Sequence, residues 1–147
     1  MSVVVWDGIT LAADRRGSVD GIALTVPKLR IVNSDLALAW VGCYDSGQEL
    51  VDWYLFQEDE ETPFPEMDDD NFSILIVVSK GKCFYYNGSP NKMEIHDPFM
   101  AWGDGRELAL GALAMRADAI EAVNVACRFC LTCGNGVDNY VYIGKSE

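Results

Sequence analysis

The sequence predicts an α+β domain built as a four-layer αββα sandwich, in which two antiparallel sheets pack face to face with helices outside. Short runs rich in β-branched and aromatic residues, separated by turn residues, fill the first third and the middle of the chain. Three segments instead have helical spacing and capping residues. The resulting order of strands, helix, strands, two helices and a strand suits two packed sheets that are each covered by helices.

The first two strand runs predict a hairpin. The Asp-Gly pair at positions 7–8 separates them and favours a tight two-residue turn. Such a turn would place Ser2 opposite Ala13 and Met1 opposite Asp14. The strand runs of the whole chain are 2–6, 9–14, 22–26, 28–32, 36–41, 72–79, 82–86 and 137–143.

Three helices are predicted from capping pairs, in which Ser or Asp is followed three residues later by Glu. Each side chain of such a pair accepts a hydrogen bond from an amide group of the first turn that has no partner in the helix. The pairs are Ser46 with Glu49, Asp104 with Glu107, and Asp118 with Glu121. The first helix should stop before an acidic loop at about 58–71, the second at about 117 and the third at about 129.

Length and charge limit the possible functions. The 147 residues suffice for one domain, 1–147, with a sizeable core. The net charge of −12 argues against nucleic acid as a partner, since binding to phosphates requires Lys and Arg. Much of that charge lies in the acidic loop, where Pro63 and Pro65 and few apolar residues predict a solvated segment, with a role as a binding arm as the alternative.

No membrane-spanning run and no export signal is found in the sequence, so a cytoplasmic location is expected. The five cysteines are therefore predicted to be free thiols.

The three-residue spacing of Cys127, Cys130 and Cys133 allows a metal site, but a fourth ligand is missing and packing roles are favoured. His96, the single histidine, has no evident Asp partner for Ser–His catalysis. Neither a metal nor another cofactor is expected.

Five stretches of the chain occur in an order typical of one enzyme family. They are LAADR at 11–15, KLRI at 28–31, LAWVG at 38–42, AWGDG at 101–105, and the helical region 108–134. In this order they resemble segments of the proteasome β-subunit/HslV family of N-terminal nucleophile hydrolases. The likeness is greatest to the compact bacterial and viral members. The resemblance covers nearly the whole chain and implies the same αββα fold.

The resemblance also implies a set of site residues. In the family, the side-chain hydroxyl of the first residue attacks a peptide carbonyl while the free α-amino group accepts the proton. Lys28 matches the family's lysine, Asp14 the aspartate that holds it, and Gly42 the glycine whose N–H stabilises the oxyanion. Ser2 stands in for the family's threonine. Asp104 departs from the family, which usually has a serine there.

Several functions remain open at this stage. The resemblance implies a peptidase subunit in a homo-oligomeric ring that takes peptide substrates, provided that Met1 is removed to expose Ser2. A retained Met1 favours a degenerate, non-catalytic scaffold that still self-associates. The acidic composition allows a third reading, a phage or bacterial interaction protein that inhibits a basic partner.

Overall fold

Two antiparallel sheets form the centre of the molecule in residues 2–56 and 62–144, the part that the computed structural model describes. The strands and helices are β1 (Val3–Trp6), β2 (Thr10–Asp14), β3 (Arg16–Val19), β4 (Ile22–Thr25), β5 (Leu29–Asn33), β6 (Leu36–Gly42), α1 (Tyr44–Leu55), β7 (Ser73–Ser79), β8 (Lys82–Asn87), β9 (Met93–Glu94), β10 (Met100–Gly103), α2 (Arg106–Ala114), α3 (Ala119–Phe129) and β11 (Val137–Val141). One sheet has the order β10-β1-β2-β11 and the other β5-β6-β7-β8-β9, while β3 and β4 form a separate hairpin. The predicted α+β class is confirmed.

Alternating side chains of β1 divide the molecule into layers. Val4 and Trp6 point between the sheets, where they join a buried cluster that includes Ala37 and Ala39 of β6. Val3 and Val5 point to the other face of their sheet, where they are buried under α2 and α3. This period of two is the pattern expected of a strand that is covered on both faces.

The second sheet is covered on its outer face by α1. Leu38 and Trp40 of β6 point away from the first sheet and pack against Leu50 and Val51 of the helix. The layers therefore run α2/α3, sheet, sheet, α1, as the strand and helix order predicts. All four tryptophans lie in these buried clusters: Trp6, Trp40, Trp53 and Trp102.

The predicted register of the first hairpin is wrong. Val4, not Ser2, lies opposite Ala13. The Asp7 amide donates to the Thr10 carbonyl at 3.2 Å, so the turn is centred on Gly8 and the next residue instead of on positions 7–8. Gly8 has φ +96°, the positive value that a type II′ turn requires at its first central residue. Asp7 stays outside the turn centre because its carboxylate accepts hydrogen bonds from the amides of residues 9 and 10.

The helix starts agree with the capping predictions in one case out of three. Asp118 and Glu121 form a capping box at the start of α3. The residues before α1 and α2 accept no hydrogen bond from the first helical turn through a side chain, so the other two predicted caps are wrong. Ser46 lies inside α1 and donates to a carbonyl of the loop before β7. Asp104 instead accepts a hydrogen bond from Thr132 at 2.9 Å. Each side chain has a tertiary partner that spacing alone does not reveal.

The acidic loop is only partly covered by the structure, because 57–61 lie outside the described residues. Residues 62–72 contain no helix or strand, as predicted. Phe64 and Met67 nevertheless pack on the cluster beneath α1, and the rings of Phe64 and Trp53 meet edge to face at 4.9 Å. The prediction of a wholly solvated segment is therefore wrong for these two side chains.

Three strands, β3, β9 and β10, were not predicted from the sequence. Residues Arg16–Val19 form β3 and pair with β4 in an exposed hairpin beyond the end of β2. Within the part of the chain that the structure describes, no helix is long and apolar enough to cross a membrane.

Candidate active site

Asp14 is the centre of a buried polar cluster at the end of β2. Its side chain is fully inaccessible to solvent. Oδ1 accepts a hydrogen bond from the Val3 amide at 3.0 Å, and Oδ2 accepts from the amides of Gly134 at 3.0 Å and Arg16 at 3.3 Å. These bonds join the start of β1, the start of β3 and the loop before β11. The backbone N–H groups thus satisfy both oxygens of the buried carboxylate.

Lys28 supplies the opposite charge. Its Nζ lies 2.8 Å from Asp14 Oδ1 and also donates to the Arg16 carbonyl at 2.6 Å. Only 3% of Lys28 is exposed. Burial lowers the pKa of Lys28 below its ordinary value, although the Asp14 charge acts in the opposite direction. The lysine backbone is held by β6, since the Trp40 amide donates to the Lys28 carbonyl at 3.1 Å.

Ser2 lies immediately before the residue that binds Asp14. It is fully buried, and its hydroxyl has no hydrogen-bond partner among the described residues. Its carbonyl accepts from the Gly105 amide at 3.3 Å. The corrected hairpin register makes β1 long enough to bring the Val3 amide to Asp14, which the predicted register did not. As long as Met1 is present, the Ser2 nitrogen is part of a peptide bond and is not a free amine.

Gly42 ends β6 beside a cleft of about 660 Å³. The cleft lies between the β3–β4 hairpin and the start of α1, and its lining includes Arg16, Leu24, Lys28, Gly42, Tyr44 and Leu131. The lining thus combines two cationic groups and several apolar side chains with two carboxylates, Asp45 and Asp70. The structure therefore places Lys28 and Gly42 on the same cleft, with Asp14 behind the lysine.

We expect Gly42→Ala to destabilise the protein by at least about 2 kcal/mol, because left-handed backbone disfavours a side chain. Gly42 has φ +102°, and an added Cβ would lie 2.3 Å from the Phe72 carbonyl oxygen. The matched control is Gly111→Ala in α2, where nothing lies within 4 Å of the added Cβ. That control should gain roughly 0.5–1 kcal/mol from helix propensity. Urea unfolding of both variants measures the difference, and equal stabilities would contradict it.

Some groups of the site were not identified from sequence. The Gly134 amide, which donates to Asp14, lies in a turn that the sequence marks only as a turn. Thr132, on the same loop, donates to Asp104. Burial raises the pKa of Asp104. The hydrogen bond from Thr132, the charge of Arg106 and other contacts together lower it by more, so the net shift of the pKa is downward. A loop from the far end of the chain thus supports both carboxylates.

The remaining candidate ligands do not form a metal site. Within residues 2–56 and 62–144, no group of three or more His, Cys, Asp or Glu side chains is placed to bind a metal ion. Cys127 and Cys133 pack in the cluster under α2 and α3. His96 is exposed, and its Nδ1 lies 3.8 Å from a Glu94 carboxylate oxygen.

Solved structures with the same fold include three proteins of similar size. BPH of Thiobacillus denitrificans matches with a TM-score of 0.73 at 20% identity, over 100% of both chains. Eukaryotic HslV from Trypanosoma brucei matches with a TM-score of 0.68 at 19% identity, over 94% of this chain and 96% of that one. Anbu, an ancestral beta-subunit from Yersinia bercovieri, matches with a TM-score of 0.75 at 15% identity, over 97% and 81%. No protein-family model and no curated protein matches the chain. At these identities the comparisons establish a proteasome-like fold.

Proposed function

We propose that the chain is a proteasome/HslV-like peptidase subunit that cleaves peptide bonds with the Ser2 hydroxyl after Met1 is removed. The observation that carries this proposal is the buried Lys28–Asp14 pair, which is tied to the amide of Val3, the residue after Ser2. A fully buried ion pair stabilises a fold only weakly, because desolvation offsets much of the attraction. The pair is bonded to the residue next to Ser2, whose hydroxyl has no partner among the described residues, and this supports a chemical role.

The reaction would use the new amino terminus as its base. Once Met1 is gone, the free amine of Ser2 takes the hydroxyl proton as the oxygen attacks the substrate carbonyl. The tetrahedral intermediate collapses to an ester on Ser2, and the departing amine takes the proton. Water then attacks the ester with the same amine as base and releases the acid. The positive charge of Lys28 favours the ionised hydroxyl, and Asp14 holds the lysine in place.

The cleft beside Gly42 is the proposed substrate site. The amide of Gly42 would donate to the oxyanion, while the β3–β4 hairpin offers backbone groups to an extended peptide. The apolar wall at Leu24 and Leu131 would take a substrate side chain. Peptides are therefore the substrate class that the cleft suits.

Self-association is part of the proposal. The likeness to an ancestral beta-subunit and the exposed apolar side chains favour a homo-oligomer, with the ring of the resembled family as the expected form. Those side chains include Ile22, Ile31 and Met115, which are 69%, 54% and 83% exposed. A single chain leaves these side chains exposed to water, whereas neighbouring subunits would cover them.

A non-catalytic scaffold is the second candidate. The full burial of Ser2 favours it, because a nucleophile must reach its substrate. In that case Met1 is retained and the Lys28–Asp14 pair only joins the strands around it. Both candidates share the proposed self-association and differ in the state of the amino terminus.

Intact-mass spectrometry of the purified protein tests the proposal directly. We expect the mass of the chain without Met1, an epoxomicin adduct located on Ser2, and hydrolysis of fluorogenic peptides. Epoxomicin is the probe because BPH has been solved in complex with it. A sizing column on the same sample should give a homo-oligomer. Retained Met1 with no adduct and no hydrolysis would reject the peptidase and leave the scaffold.

A further inference from the structure

The end of α3 carries two cysteines that the proposed peptidase reaction does not use. Cys130 follows the last residue of α3, and Cys133 lies at the end of the turn that comes next. The Cys133 amide donates to the Cys130 carbonyl at 3.2 Å, which closes a four-residue turn. Such a turn brings its first and last Cα atoms within about 7 Å. A disulfide needs a Cα–Cα distance of about 4.4–6.8 Å. The backbone here is therefore shaped for a disulfide between these two residues.

The two thiols differ in environment. Cys130 is partly exposed, and its Sγ lies 3.4 Å from the Thr132 hydroxyl. That hydrogen bond is the main reason why the pKa of Cys130 is lowered, with a contribution from a side-chain hydrogen bond with Cys133. Cys133 is 1% exposed, and burial raises its pKa strongly. A partly exposed thiol with a lowered pKa close to a buried one is the arrangement of an attacking and a resolving cysteine.

We infer that Cys130 and Cys133 form a redox-sensitive thiol pair that closes to an intramolecular disulfide when it meets a small-molecule disulfide such as oxidised glutathione. The Cys130 thiolate attacks one glutathione sulfur, forms a mixed disulfide and releases one glutathione thiolate. Cys133 then loses its proton to solvent and attacks the Cys130 sulfur, which releases the second glutathione thiolate. The pair loses two electrons and the oxidised glutathione gains them.

Closing this disulfide would act on the Asp14 cluster. Cys133 Sγ lies 3.0 Å from the position of a Cβ added at Gly105, whose amide donates to the Ser2 carbonyl. The residue after Cys133 is Gly134, which donates its amide to Asp14. Disulfide formation would move the Cys133 sulfur toward Cys130. That movement would displace atoms next to two hydrogen bonds, from Gly105 to Ser2 and from Gly134 to Asp14. The thiol pair thus links the redox state to the start of β1, whether or not the chain cuts peptides.

Alkylation mapping after equilibration in glutathione buffers tests the thiol pair. When the equilibrated protein is acid-quenched and then alkylated in denaturant, we expect oxidation to abolish the doubly alkylated peptide that contains Cys130 and Cys133 and to produce a linked peptide in its place. Cys130→Ser should abolish the linked peptide, whereas the matched control Cys127→Ser should leave it unchanged. Cys83, which is 2% exposed and whose pKa is raised by burial to about 12, should stay unreacted in the native protein.

Three outcomes would overturn the inference. The first is a pair that stays fully alkylated in oxidised glutathione. The second is a persistent glutathione adduct on Cys130 without closure. The third is a native disulfide that contains Cys127. The readout is a peptide map, so none of these outcomes depends on peptidase activity of the protein itself. A failed peptidase assay would therefore not affect the test of the thiol pair. A shift in thermal unfolding on oxidation that Cys130→Ser removes would support the link to the buried cluster.

Discussion

Ser2→Ala is expected to lower peptide hydrolysis at least about a thousandfold and to abolish the epoxomicin adduct, because removing a nucleophile leaves only positioning and oxyanion stabilisation. Alanine is as small as serine, so removal of Met1 should proceed equally in both proteins. The variant should be as stable as the parent or up to about 1 kcal/mol more stable, since a buried hydroxyl without a partner is costly. The measurements are hydrolysis rates and urea unfolding on the same preparations.

The opposite signs of the two effects separate chemistry from folding. A variant that loses activity because it unfolds would lose stability as well. Ser2→Thr is the matched control, since it restores the hydroxyl and gives the residue type of the resembled family, and it should keep activity and the adduct. Ser2→Ala protein that hydrolyses peptides at the parental rate would remove Ser2 from the mechanism.

Asp14→Asn should destabilise the protein by about 3–5 kcal/mol, which corresponds to a fall in Tm of roughly 10 °C. The substitution leaves the Lys28 cation buried without its counterion, because the two side chains are 4% and 0% exposed. It also turns an acceptor oxygen into an NH2 group near amides that already donate to it. Thermal and urea unfolding give the loss directly.

A double-mutant cycle shows how much of that loss comes from the unpaired lysine. Lys28→Met removes the cation and keeps most of the side-chain volume, so Asp14→Asn/Lys28→Met should recover about 1–3 kcal/mol relative to the sum of the single changes. Lys28→Met alone should cost less than Asp14→Asn, because the carboxylate keeps its three backbone donors. Additive losses would mean that the pair is not coupled, contrary to the 2.8 Å contact.

The fold class followed from patterns that act locally. The strand runs that form β1 and β6 and the capping box at Asp118 depend on residues close in sequence, and the structure agrees with both. The hairpin register failed because Asp-Gly is a strong turn signal, whereas Asp7 is held outside the turn centre by its own side chain. Its second carboxylate oxygen accepts from Ala119 at 2.8 Å, a contact across most of the chain. Spacing cannot report such a partner.

The candidate site shows the same division. Asp14, Lys28 and Gly42 were found through resemblance to a family, and the structure brings Asp14 and Lys28 into contact and places Gly42 on the lysine's cleft. Gly134 and Thr132 could not be found in this way, because the loop that carries them reaches the cluster only through the packing of α3. Backbone amides have no sequence signature of their own.

The position of β1 inside its sheet has a consequence for how the chain acquires its structure. β1 is flanked by β2, its neighbour in sequence, and by β10, which a ribosome makes about a hundred residues after β1. During synthesis one edge of β1 is therefore unpaired until β10 is made. In that time apolar side chains such as Val5 are exposed and can contact other chains. Nascent protein should consequently depend on chaperones until Gly103 has left the exit tunnel.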